Sequence, residues 1–66
     1  MDAKKIGERL SNLRKNKSQE RVANEVGISV SALSMYEQGN RVPRDEIKVK
    51  LAAYFGVTVE ELFFKE

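Results

Sequence analysis

The sequence predicts a small all-α protein of five short helices, and three observations support this fold class. Apolar residues recur at spacings of three and four in successive segments, as they do along one face of a helix. Gly27, Gly39 and Gly56 follow three of these segments, at positions where helices commonly end. A chain of 66 residues has material for one core only, so we assign residues 1–66 to a single domain.

The first two helices are predicted to be amphipathic. The first covers residues 4–16. Within it Ile6, Leu10 and Leu13 follow one another at helical spacing, with charged and polar residues between them. The second begins after Ser18, whose hydroxyl can cap a helix N-terminus, and ends at the first of the three glycines. Each helix therefore has one face available for the core.

The third helix follows the second after a very tight turn. Ser29 is a second N-cap, and residues 30–38 contain neither glycine nor proline. Two helices joined by a short glycine-containing turn form the helix-turn-helix unit, which places its second helix in the major groove of DNA. Residues 19–38 fit this unit, since Ala23 is small where the helices cross and Gly27 can adopt a positive φ in the turn.

Two further helices complete the chain after a loop over residues 40–43. Ile47, Leu51 and Phe55 share one face of the fourth helix. Residues 58–61 are Thr-Val-Glu-Glu, a capping box in which the threonine hydroxyl and the last glutamate satisfy each other's backbone N–H groups. A short fifth helix is therefore predicted to begin there.

Composition excludes several classes of function. Cysteine and histidine are absent, which removes disulfides, the usual metal ligands and the usual nucleophile and base pairs, so neither an enzyme nor a cofactor is expected. No apolar run has the length of a membrane span, and the first residues lack a signal-peptide core, so we expect a cytoplasmic protein. Lys and Arg outnumber Asp and Glu by nine to five in residues 1–44, which suits contact with phosphates.

The helix-turn-helix unit and its flanks resemble the lambda-like Cro and repressor (XRE) family. The matching positions are Ser18-Gln19, Val22-Ala23, Gly27-Ile28-Ser29, Leu33-Ser34, Glu37-Gln38-Gly39 and Pro43, followed by Ala52, Gly56, Val57, Thr58 and Glu61-Leu62-Phe63. The resemblance covers nearly the whole chain. It implies a five-helix, lambda repressor-like DNA-binding domain that acts as a bacterial or phage transcriptional regulator on double-stranded DNA.

The resemblance also implies particular DNA contacts. Gln19 would donate to a phosphate, while Val30, Ser31 and Met35 occupy the family's base-reading positions, with Ser34 one turn beyond Ser31. Further implied contacts come from Ser29, Asn40, Arg41, Arg44 and Arg14, the last of which usually pairs with Glu37 in this family. The alternatives are a solvated glutamine, rim packing of the apolar side chains and solvated loop charges.

The four base-reading side chains are short or apolar, and none is a bidentate reader. Serine hydroxyls both donate and accept, and so tolerate several bases, whereas Val30 and Met35 can contact thymine methyl groups. We therefore expect a site that favours A·T pairs and is recognised in large part through DNA shape.

The end of the chain suggests a homodimer. Phe63 and Phe64 are consecutive, so both cannot face one small core, and an exposed aromatic residue commonly marks an interface. We place these two residues and Val59 in a dimer interface through the fifth helix. A dimer would set two recognition helices about one DNA turn apart and recognise a pseudo-palindromic operator.

Two departures from the family pattern stand out. Residues 14–17 run directly into Ser18, which leaves the first turn about two residues short and puts Lys17 where an apolar residue normally packs. In the fourth helix Asp45 and Lys48 replace apolar residues, and Ile47 and Val49 are expected to be buried instead.

Three classes of function can be weighed against these residues, and an enzyme is the one that is not expected. A transcriptional regulator is favoured, and it could repress a promoter by occupying it or activate one by contacting polymerase. The alternative is an antitoxin or another protein-interaction module that binds DNA secondarily. An enzyme is the third, and a core this small leaves little volume for a substrate pocket.

Overall fold

In the computed structural model, which describes residues 1–65, the chain forms five helices. They are α1 (Ala3–Arg14), α2 (Gln19–Val26), α3 (Val30–Glu37), α4 (Asp45–Phe55) and α5 (Glu60–Phe64), the last a single turn wound as a π-helix. The predicted all-α class and the order of five helices are therefore confirmed. None of the helices in this part of the chain is long and apolar enough to cross a membrane.

The predicted caps account for the starts of α2 and α3. The Ser18 hydroxyl accepts a hydrogen bond from the Arg21 N–H at 3.0 Å, and the Ser29 hydroxyl accepts one from the Ala32 N–H at 3.0 Å. Each bond satisfies one of the backbone donors that a helix leaves free in its first turn. The α2 helix ends at Gly27, whose φ of 92° lies in the left-handed region that favours glycine.

The first helix is displaced relative to its prediction. It starts at Ala3 because the Asp2 carboxylate accepts from the backbone N–H groups of Lys4 and Lys5, a cap that the periodicity of apolar residues does not reveal. It ends at Arg14 rather than at residue 16, because Lys15 adopts a φ of 55° that no α-helix can continue through.

All five helices contribute to one core. The buried apolar side chains are Ile6, Leu10, Val22, Ala23, Val26, Leu33, Tyr36, Leu51, Ala52, Leu62 and Phe63. A core shared by every element explains how a chain of this length can remove enough apolar surface from water. Detaching any one of these helices from the core would expose its buried apolar side chains to water.

Gly7 is a structural position that the sequence analysis overlooked. It is buried in α1 against the end of α3, and a Cβ atom added to it would lie 2.3 Å from the carbonyl oxygen of Glu37. Only glycine lets the two backbones approach this closely. The only sign of it in the sequence is a glycine next to Ile6 inside a helical pattern.

The prediction for the start of α4 is wrong at Val49. That side chain is 58% exposed, whereas Lys48 is only 9% exposed and Ile47 is partly buried. The aliphatic stem of Lys48 fills the apolar position, and its ammonium reaches Asp45 Oδ1 at 3.4 Å and lies 5.3 Å from the ring centroid of Phe64.

Candidate nucleic-acid interface

The α2 and α3 helices form a helix-turn-helix unit with a closed turn. The backbone N–H groups of Gly27 and Ile28 both donate to the carbonyl of Ala23, at 2.8 and 2.9 Å. Ala23 is buried in the core together with Val22 and Leu33, which hold the two helices at a fixed angle. The turn and the buried residues of the motif thus fix the position of α3 relative to α2.

The outward face of α3 carries the side chains predicted to read bases. Val30 and Met35 are each 37% exposed, Ser31 is exposed and Ser34 is half-buried. The opposite face is fixed in the core by Leu33 and Tyr36. Apart from Met35, these side chains are short and lie close to the helix axis, which lets the helix backbone approach a partner surface.

Gln38 extends this face and was not singled out from the sequence. Its Nε2 donates to the hydroxyl of Ser34 at 2.9 Å, and its Oε1 accepts from Nδ2 of Asn40 at 3.0 Å. These bonds fix the plane of the Gln38 amide while leaving one N–H and one lone pair free. Its spacing of four residues from Ser34 could have indicated that both share a face.

Glu37 connects α1, α2 and α3 beneath this face. Its side chain is almost fully buried, and both of its oxygens bind the Arg14 guanidinium, at 2.7 and 2.9 Å. The same carboxylate accepts from Nε2 of Gln19 at 2.9 Å. The hydrogen bonds between Arg14 and Glu37 raise the pKa of Arg14 above its ordinary value, because they stabilise its charged form.

Gln19 and Arg14 are therefore held in place by Glu37, and each keeps N–H donors that are not hydrogen-bonded to any of residues 1–65. The Gln19 amide has two N–H groups, of which one is bonded to Glu37. The Arg14 guanidinium has five, and it directs one of them to the Lys17 carbonyl at 2.7 Å besides the two that bind Glu37. Both side chains keep donors that can bind an anion outside the protein.

The loop after α3 places its polar side chains in solvent. Asn40, Arg41 and Arg44 are exposed, and the buried Pro43 anchors the loop between them. Arg44 lies 3.6 Å from a Glu46 oxygen, a contact between two largely exposed side chains that contributes little. The loop cations are thus available to a phosphate.

The shortened corner between α1 and α2 is closed by a hydrogen bond from the Lys17 N–H to the Arg14 carbonyl at 3.1 Å. Lys15 has φ 55° and ψ −121°, the geometry of the first central residue of a type II′ turn. In place of the usual apolar contact, Lys17 lies across Tyr54, with Nζ 3.2 Å from the phenol oxygen and 5.0 Å from the ring centroid.

The fifth helix offers fewer interface residues than predicted. Phe63 is 1% exposed and belongs to the core, so its assignment to a dimer interface is wrong. The reason is that α5 docks on α1 with Leu62 and Phe63 directed inward. Phe64, by contrast, is 51% exposed, and Val59 is half-buried.

Comparison with known proteins places this geometry among regulators. The model of a helix-turn-helix family matches residues 8–62. The fold is similar to that of the restriction-modification controller protein C.AhdI from Aeromonas hydrophila, with a TM-score of 0.83 and 36% identity over 94% of this chain and 93% of that one.

Two curated relatives carry the same name. The cryptic phage CTXphi transcriptional repressor RstR of Vibrio cholerae serotype O1 is 43% identical over 60 residues, 88% of this chain and 54% of the relative. A second RstR of Vibrio cholerae is 40% identical over 45 residues, 68% of this chain and 40% of the relative. This chain thus spans about half the length of these relatives or less. The family match confirms the expected resemblance, and the chain belongs to the XRE-type helix-turn-helix family.

Proposed function

We propose that this chain is a sequence-specific DNA-binding transcriptional regulator that presents the outward face of α3 to the major groove. The observation that carries the proposal is the division of α3 into a face fixed in the core and an accessible face of serine and apolar side chains on a rigid helix-turn-helix unit. The matched family and the names of the relatives favour regulation over catalysis. Two of those relatives are named repressors, which favours repression by promoter occupancy.

Phosphate contacts would position the protein on the duplex. Gln19 and Arg14 keep free donors where they bind Glu37, the last residue of α3. The exposed Asn40, Arg41 and Arg44 lie in or next to the loop that follows α3. Phosphate contacts from these residues would fix the register and orientation of α3 in the groove, although such contacts carry no sequence information.

Base contacts would come from the outward face of α3. Val30 and Met35 suit thymine methyl groups, while Ser31 and Ser34 offer hydroxyls that accept more than one base. Ser29 uses its hydroxyl oxygen as the cap of α3, which leaves its O–H group to donate. The fixed amide of Gln38 adds a donor and an acceptor of the kind that pairs with adenine, so an operator that favours A·T pairs is expected.

A dimer would use the exposed part of α5. Phe64 is the large aromatic side chain that the core leaves in solvent, and Val59, which directly precedes α5 in the chain, is partly accessible. A two-fold contact through these residues would present two copies of α3, and the operator would then consist of two half-sites about one DNA turn apart.

A footprint on the DNA flanking the protein's own gene, repeated over a range of salt concentrations, tests this proposal. The expected result is a discrete protected site that persists at salt concentrations where binding to unrelated DNA is lost. Protection of every sequence alike, lost uniformly as salt rises, would contradict sequence-specific regulation.

A further inference from the structure

An open cleft of about 510 Å³ lies where the corner between α1 and α2 meets the end of α4. Four of its eight lining residues are cationic, namely Arg14, Lys15, Lys17 and Arg21, and none is acidic. Like charges gathered on one concave surface raise the local concentration of anions. The cleft is therefore suited to an anionic partner.

The four cations differ in how far they are neutralised within residues 1–65. Arg14 is paired with Glu37, and Arg21 with Glu25 at 3.2 Å. Lys17 contacts the ring and hydroxyl of Tyr54, and the same hydroxyl donates to Glu25, whose carboxylate offsets part of the Lys17 charge. Lys15 is exposed and has no acidic side chain within salt-bridge distance in the described chain. Lys15 is thus the cation of the cleft that acidic side chains of the described residues neutralise least.

The backbone conformation at Lys15 is unfavourable for lysine and lowers the stability of the folded state relative to glycine at this position. Its φ of 55° and ψ of −121° lie in a region that side chains other than glycine rarely adopt. Strain of this kind persists where the surroundings enforce it, and it is concentrated at functional positions. Glycine would serve the turn better, so the benefit of lysine here must lie in its side chain.

We propose that this corner is a second DNA-backbone contact, in which Lys15 and Lys17 bind phosphates beyond the base pairs that α3 reads. The inference rests on the proposed function, because the corner leads directly through Ser18 to Gln19, one of the proposed phosphate donors. Arg14 links the two regions physically, since it binds Glu37 and the Lys17 carbonyl at once. The phosphate contacts then continue from the start of α2 around the corner into the cleft.

Salt-dependent binding to the footprinted site tests the corner with three variants of the full chain. Lys15→Gln removes the charge, and Lys15→Gly removes the charge and relieves the backbone. Lys50→Gln, an exposed lysine of α4 that does not line the cleft, is the control with the same change in net charge. The readouts are the slope of log K against log salt and the midpoint of thermal unfolding.

Each Lys15 variant is expected to make the slope less steep by about 0.9 per subunit. If a variant and wild type bind equally at 1 M salt, the variant then binds about eightfold more weakly per subunit at 0.1 M salt. The control should retain the wild-type slope. Lys15→Gly should also unfold at a higher temperature than wild type, so that stability and DNA affinity change in opposite directions at one residue.

Two results would overturn the inference while leaving the proposed function intact. One is a wild-type slope for Lys15→Gln on a site that the protein still recognises. The other is an equal loss for Lys15→Gln and Lys50→Gln, which would reflect net charge rather than a contact at the corner. Failure of the wild-type protein to recognise any site is a different outcome, since it contradicts the proposed function itself.

Discussion

At the scale of single residues, Gly7 sets the distance between α1 and α3. A Cβ at this position would lie 2.3 Å from the Glu37 carbonyl oxygen and 2.8 Å from that of Tyr36. Both oxygens belong to backbone, so neither can move aside without shifting the helix that carries the proposed reading face. A close backbone contact between α1 and α3 thus lies directly behind the proposed interface.

Gly7→Ala is therefore expected to destabilise the protein, although alanine is the better helix former. Forcing a methyl group into a filled space costs about 1–3 kcal/mol, and each kcal/mol lowers the unfolding midpoint by about 4–8 °C in a domain of this size. Thermal unfolding followed by circular dichroism measures the change. Ser11→Ala, at an exposed position of the same helix, is the control and should be neutral or slightly stabilising. Equal midpoints for Gly7→Ala and wild type would show that α1 and α3 can separate at little cost.

Helix caps could be predicted from the sequence, whereas the burial of some side chains in α4 could not. The Ser18 and Ser29 caps were predictable because each depends on groups within three residues. The burial of Lys48 and the exposure of Val49 were not, because they depend on how α4 is rotated against α5. A lysine stem can replace an apolar side chain, and a hydropathy pattern does not register that.

At the scale of elements, the start of α5 is fixed by a reciprocal cap. The Thr58 backbone N–H donates to Glu61 Oε1 at 2.9 Å, and the Glu61 N–H donates to the Thr58 hydroxyl at 2.9 Å. The predicted capping box is confirmed. The hydrogen bonds from the Thr58 backbone and hydroxyl lower the pKa of Glu61, because they favour its charged form.

This cap gives a pH-dependent prediction. Because the pKa of Glu61 is lowered on folding, its contribution is present above its ordinary value of 4.5 and is lost as the pH falls through the folded value. Thr58→Ala removes the hydroxyl bonds of the cap but keeps the backbone N–H that donates to Glu61, and it should lower stability by about 1 kcal/mol near neutral pH. The bond from the Thr58 hydroxyl to the charged carboxylate weakens as Glu61 is protonated, so the difference in unfolding midpoint between wild type and Thr58→Ala should shrink, without vanishing, as the pH falls below 4.5. Glu25, whose pKa is also lowered, is unchanged in the variant and cancels from the comparison. A difference that stays constant down to pH 3 would contradict this role of the cap.

The ends of the helices were predictable to different degrees. The glycine that ends α2 was placed correctly because a left-handed residue is required there. The end of α1 was misplaced because Lys15 occupies a conformation that favours glycine, so the residue type conceals the turn. The π-helical winding of α5 has no local signature in residues 60–64 that distinguishes it from an α-helical turn.

At the scale of the whole molecule, the packing of α5 decides which surface remains for a partner. The consecutive phenylalanines indicated that one of them must be exposed, but only the docking of α5 on the core separates Phe63 from Phe64. Most of the site was predictable through the family resemblance, because its positions depend on motif spacing. Gln38 and the cation-lined cleft were missed because they arise from contacts between elements.

Phe64→Glu is expected to abolish the proposed dimer without unfolding the monomer. The side chain is half in solvent, and a carboxylate there would face the nearby Lys48 ammonium, so the fold can accept it. A charge in the proposed two-fold interface would instead meet its own copy. Sedimentation equilibrium at micromolar concentration measures the mass, with Phe64→Leu as the control that preserves apolar contact. If Phe64→Glu sediments with the same mass as wild type, α5 is not the interface.

The central claim is that the outward face of α3 reads DNA sequence while its flanks hold the backbone. Selection of binding sites from randomised duplexes, carried out with wild type, Ser31→Ala and Gln19→Ala, tests it most directly. Wild type should select a consensus rich in A·T pairs. Ser31→Ala should change the base preference at one position of each half-site and cost about 1–3 kcal/mol of binding free energy if Ser31 contacts a base. Gln19→Ala should weaken binding to all sites equally without changing the consensus. The absence of any wild-type consensus, or an identical consensus with uniform weakening in both variants, would contradict the claim.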